Sequence, residues 1–120
     1  MVGLGTYQMQ PEQVKLAIDV ALGCGYRLFD TAAVYRNEQA VGVALHQGMD
    51  KFKLNRAELF VTTKLAPADQ GYEAATGAIQ RSLNNLNLEY IDLYLIHWPG
   101  VKGRDPADPE QAALRQGSWR

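Results

Sequence analysis

The chain has 120 residues, 12 Lys plus Arg against 13 Asp plus Glu, a formal net charge of -1 and 47% hydrophobic residues. That is enough chain for one domain with a buried core, and the balanced, scattered charge excludes the basic patches of a nucleic-acid or anionic-membrane binder. The single cysteine, Cys24, excludes an internal disulfide, and no signal-like or membrane-spanning run is present, so a cytoplasmic protein is expected.

Taken in order, Val2 to Thr6 reads as a short strand. Its Gly3-Leu4-Gly5 lacks the third glycine of a dinucleotide fingerprint, so the glycines are read as relieving crowding rather than holding a pyrophosphate. Pro11 suits the first turn of a helix that places Val14, Ala17, Ile18, Ala21 and Leu22 on one face and stops at Gly23 and Gly25. Cys24, between those glycines, reads as a small packed residue. Tyr26 to Asp30 is the second strand, with Leu28 and Asp30 on one face and Phe29 on the other. A second helix capped by Asn37 turns Ala40, Val41, Ala44 and Leu45 inward and fades at Gly48. His46 within it reads as ordinary surface.

The third strand runs from Leu59 to Lys64, and the third helix, from Tyr72 to Asn87, buries Tyr72, Ala75, Ile79, Leu83 and Leu86. The fourth strand, Tyr90 to Trp98, sets Ile91, Leu93, Leu95 and His97 against Asp92, Tyr94, Ile96 and Trp98, with Asp92 as a solvent-side or capping group. After Pro99 the composition turns polar before a short helix from Pro109 through Leu114.

Strands alternating with helices imply a parallel α/β sheet. Two architectures fit: a small open doubly wound sheet, complete at this length, or the first half of an eight-stranded barrel of about 250 residues. In either, the strand ends meet at one ligand-binding face. The intervals from Asp30 to Lys64 and from Lys64 to His97 are nearly equal, each close to the roughly 30 residues of a strand, helix and return.

Three titratable residues therefore end three successive strands, with Tyr35 just past the first of them. A tyrosine is a poor proton donor near neutral pH unless a cation stabilises its phenolate. Lys64 supplies that cation, Asp30 on the adjacent strand holds it charged, and His97 can orient a substrate oxygen. Together they suit proton donation to a carbonyl. Taken singly, each has a plainer reading: a turn carboxylate, a solvated lysine, a core histidine, a surface aromatic. Their shared register is what argues for chemistry. The sequence holds no His or Cys cluster for a metal, no Gly-x-Ser-x-Gly elbow and no phosphate-binding Gly-Lys-Ser/Thr loop.

GLGTY at Gly3, GYRLFDTAAVYRNEQAVG from Gly25, LFVTTKL from Leu59 and LNLEYIDLYLIHWP from Leu86 together resemble the N-terminal part of aldo-keto reductases, NADPH-dependent enzymes on a (β/α)8 TIM barrel. The resemblance implies that Tyr35 is the general acid, Lys64 lowers its pKa, Asp30 supports Lys64 beside the nicotinamide ribose, and His97 orients the carbonyl. It puts Thr6 and Tyr7 on the NADPH site and Trp98 beside an aldehyde or ketone substrate. It implies a monomeric parent with no nucleic-acid, membrane or metal partner.

The departures from the family are as informative. The family's opening β-hairpin is missing, as are the later strands that bear a Ser-Asn pair and a Gln for the carboxamide, a stacking Tyr and a basic clamp for the 2'-phosphate. Ser118-Trp119 resembles the start of the family's fourth barrel helix. The 120 residues are thus expected to be a fragment, about four strands of one barrel domain. Such a piece would either reduce carbonyls or be a non-catalytic half-barrel that binds a partner or itself.

Overall fold

Two glycines and a leucine form the first strand, β1 (Gly3–Gly5), in the computed structural model, which describes residues 2–98. There follow α1 (Pro11–Gly23), β2 (Leu28–Asp30), α2 (Glu38–Phe52), β3 (Phe60–Leu65), α3 (Tyr72–Leu86) and β4 (Leu93–Ile96). The four strands make one parallel sheet in the order β1-β2-β3-β4, so each strand pairs with its sequence neighbour. The helix expected from Pro109 and the Ser118-Trp119 stretch lie outside the described residues.

All three helices lie on one face. Phe29 and Val61, neighbours in register, form one cluster with Val14, Ile18 and Leu22 of α1, Val41 and Leu45 of α2, and Leu86 of α3. Complete burial of Phe29 alone contributes about 2–3 kcal/mol. The opposite face carries Gly3, Gly5, Leu28, Asp30, Phe60, Thr62, Lys64, Leu93 and Leu95 in matching register. A doubly wound sheet has helices on both faces. Sequential strand order with helices on one side only is the arrangement of a half (β/α)8 barrel, and it decides between the two expected architectures.

Local sequence determines how α1 starts and stops. Pro11 opens α1, where its missing N–H goes unneeded, and the Gln13 side chain accepts from the Gln10 N–H at 2.8 Å. At its far end the Arg27 guanidinium donates to the Leu22 and Tyr26 carbonyls at 3.1 and 2.7 Å, as suits a cation at a helix C-terminus. Three 3₁₀ turns, Ala33–Tyr35, Arg56–Glu58 and Pro67–Asp69, were not legible from the sequence, because runs this short have no periodicity.

Several expectations are corrected. Helix α2 does not fade at Gly48 but continues to Phe52. Gly48 is buried where a methyl would overlap Leu22, so it is there for close packing against α1 rather than to end the helix. The buried stripe of α3 is Ala78, Ser82 and Leu86, while Tyr72 is 87% exposed. Small side chains let α3 approach its neighbours closely, and the bulky ones flank that line. Cys24 is exposed, not packed, because the chain leaves the core at the end of α1. Asp92, expected as a solvent-side or capping group, is exposed and caps the start of β3. Its Oδ2 accepts from the Val61 N–H at 2.8 Å and from Arg56 at 2.6 Å, joining the starts of β3 and β4.

Candidate active site

Parallel strands with a common direction deliver their C-terminal ends to one rim. Asp30 is the last residue of β2, Lys64 lies one residue before the end of β3, and His97 follows β4 directly. Tyr35 closes the 3₁₀ turn after β2, and Tyr7 lies in the turn after β1.

The Lys64 ammonium donates to both Asp30 oxygens, at 2.6 and 2.8 Å, and to the Thr31 carbonyl at 2.9 Å. An ammonium has three N–H donors, and all three are accounted for. Toward Tyr35, whose ring centroid is 5.2 Å from Nζ, Lys64 therefore acts as a charge over the ring rather than as a hydrogen-bond donor. The Tyr35 ring meets Tyr7 at 5.1 Å and His97 in a T-shaped contact at 5.6 Å, and the Trp98 ring stacks parallel to His97 at 5.9 Å. The expected residues thus converge at one end of the sheet.

Thr6 lies beneath the rim. It is fully buried, and both its N–H and its hydroxyl donate to the Asp30 carbonyl, at 3.0 and 3.2 Å. Its side chain therefore acts from behind Asp30 rather than on an open surface. Tyr7 and Trp98, by contrast, are largely exposed. His46, read as surface, hydrogen-bonds through Nε2 to the Asn87 carbonyl at 2.8 Å and lies in α2, away from the rim.

Burial, and next the nearby Lys64 charge, hold the His97 pKa below its ordinary 6.5, with Asp30 opposing them. His97 is thus neutral at pH 7, with one N–H to donate, and its Nδ1 is buried without a hydrogen-bond partner. Because the folded pKa is depressed, the neutral ring's contribution to stability is complete above pH 6.5 and is lost as pH falls through the lower folded value. NMR titration of His97 should give a midpoint below 6.5, rising in Lys64→Met by only part of the shift, since burial remains the larger cause. An unmoved midpoint would exclude Lys64 as a contributor.

A strand-end carboxylate holding a lysine, a tyrosine beneath that lysine and a neutral histidine facing the tyrosine give this rim its character. Residues 1–110 match the model described as the aldo/keto reductase family. The chain belongs to the aldo/keto reductase family. Curated relatives include an aldo-keto reductase of Mycolicibacterium paratuberculosis, 50% identical over 82% of this chain and 34% of its own length. Another is aldo-keto reductase family 1 member A1-A of Danio rerio, 49% identical over 86% of this chain and 32% of its own.

Among solved structures, the aldose reductase of Schistosoma japonicum superposes with a TM-score of 0.79 at 41% identity, covering 91% of this chain and 38% of that one. An aldo/keto reductase from Brucella melitensis gives a TM-score of 0.75 at 44% identity, covering 81% and 36%. The family member described here spans about a third of the length of these relatives. Among the described residues no helix is long and apolar enough to cross a membrane, and no metal-binding cluster occurs.

Proposed function

We propose that this chain carries the acid–base part of an NADPH-dependent carbonyl reductase site, acting on a small aldehyde or ketone. The observation behind it is the convergence of Tyr35, the Asp30–Lys64 pair and His97 on one rim. Tyr35 gives its phenolic proton to the carbonyl oxygen, and the Lys64 ammonium faces the charge the phenol is left with. Asp30, held from behind by Thr6, keeps Lys64 in place. Being neutral, His97 offers the same oxygen a hydrogen bond rather than a proton. Trp98 borders the substrate.

The residues fit a cofactor on the Tyr7 side. Asp30 keeps about a third of its side chain open, with lone pairs that Lys64 does not occupy, suited to ribose hydroxyls. The exposed Tyr7 ring offers an aromatic surface. When bound, the cofactor supplies the hydride to the carbonyl carbon. A cytoplasmic location, expected from the single cysteine, belongs to the same proposal.

The test is a fluorescence titration of NADPH into the purified chain, with Tyr35→Phe as a folded reference. Saturable binding at micromolar levels is expected for both proteins. A folded chain that binds no NADPH would reject the reductase reading for these residues and favour a second one. In that reading the apolar side of the sheet, with Phe60, Leu93 and Leu95 each about 40% exposed, serves as a binding surface. It predicts self-association in light scattering, reduced by Leu93→Lys, and a purely monomeric chain would count against it.

A further inference from the structure

Asn37 occupies the position before α2 where an asparagine ordinarily accepts hydrogen bonds from the first free N–H groups of the helix. Here it makes no such bond. Its side-chain amide donates to the Thr6 carbonyl at 2.8 Å and to the Met9 carbonyl at 3.1 Å. Its own carbonyl oxygen accepts from the Thr31 hydroxyl at 3.2 Å. Asn37 is buried, and both donors and the acceptor are in use.

These bonds tie three segments: the turn after β1, the segment after β2 and the start of α2. The turn between Thr6 and Met9, closed by the Met9 N–H on the Thr6 carbonyl at 3.2 Å, carries Tyr7 and puts Gln8 at φ 60. On the other side Arg36, just before Asn37, has φ 56. Left-handed residues other than glycine persist where surrounding contacts over-determine them, and the one buried amide adjoins both. What the two segments present is Tyr7 and Tyr35, ring centroids 5.1 Å apart.

We infer that Asn37 is a positioning residue: by clamping the Thr6–Met9 turn to the start of α2, it sets Tyr7 against Tyr35 across the mouth of the site. Only its effect on cofactor affinity rests on the proposed reductase function.

Asn37→Asp separates clamping from capping. Aspartate caps a helix as well as asparagine does, and its charge suits a helix N-terminus. It retains an acceptor for Thr31 but turns a carboxylate oxygen, instead of two donors, toward the Thr6 and Met9 carbonyls. In the 120-residue chain the Tyr7–Tyr35 nuclear Overhauser contacts should disappear in Asn37→Asp while the Tyr35–His97 contacts remain. The NADPH dissociation constant should rise about fivefold or more, the worth of one net hydrogen bond.

Tyr7–Tyr35 contacts that persist in a folded Asn37→Asp would overturn the inference. If the contacts vanish but neither chain binds NADPH, the positioning role is supported and only the reductase reading fails. Should Asn37→Asp not fold, the unmutated chain decides. Cross peaks from the Asn37 side-chain amide protons to the Tyr7 and Met9 backbone support the clamp, and their absence refutes it.

Discussion

Tyr35→Phe is expected to lower the rate of carbonyl reduction by about 10²–10⁴-fold, the usual contribution of a positioned proton donor. The substitution removes one hydroxyl and keeps the ring. The ring is what packs against Tyr7 and His97 and lies under the Lys64 ammonium, so those contacts survive. Thermal stability and NADPH affinity should therefore change little, and the loss should fall on kcat rather than KM, because the hydroxyl acts on the oxygen only as the bond order changes. Steady-state NADPH oxidation with a small aldehyde provides the measurement. A kcat within about threefold of the unmutated chain would remove Tyr35 from the acid role, since even the low end of general acid catalysis is larger.

Gly42→Ala should be among the most destabilising small substitutions in the chain. By helix propensity alone, alanine within α2 would stabilise by about 1 kcal/mol. The added methyl would instead overlap the Leu86 carbonyl, with the Leu86 C and Cα at 2.7 and 2.8 Å. These are backbone atoms that no rotamer change can move aside, so α2 and α3 must separate. Overpacking at the upper end of its usual range costs about 3 kcal/mol, leaving a net loss of about 2 kcal/mol. A thermal midpoint lower by about 8 °C or more is expected. Gly5→Ala, where an added methyl meets nothing within 4 Å, serves as the control and should be nearly neutral. A stabilised Gly42→Ala would mean that the two helices do not approach this closely.

Much of the fold was legible because buried strands and amphipathic helices leave periodic marks. Val14, Ile18, Ala21 and Leu22 lie in the core as their spacing implied. Helix α3 was misread because the periodicity of bulky apolar residues follows the widest apolar stripe, whereas packing selected the narrower line of Ala78, Ser82 and Leu86. Gly48 misled for the same reason: a glycine in a helix looks like a stop until its neighbour, Leu22, is known.

The candidate site was legible in part. Asp30, Lys64 and His97 could be placed because each ends a strand whose spacing repeats. Thr6 could be picked out, but its burial behind Asp30 could not. The clamp made by Asn37 was invisible, since its partners Thr6 and Met9 are about 30 positions away and the residue type fits a cap equally well.

By itself, then, the sequence determined the order of the strands and main helices among the described residues and which side chains lie at the C-terminal ends of the strands, because those follow from local periodicity and chain direction. The half-barrel was already implied by the resemblance, while the periodicity alone fitted a doubly wound sheet equally well. The tertiary structure decided between them by packing the three helices of the described residues on one face. Only it directed the third Lys64 donor to Thr31 and the Asn37 amide away from its own helix. The physical reason is common to all three. Side-chain hydrogen bonds and helix faces are chosen by whatever partner lies nearest in space, and sequence spacing does not specify that partner.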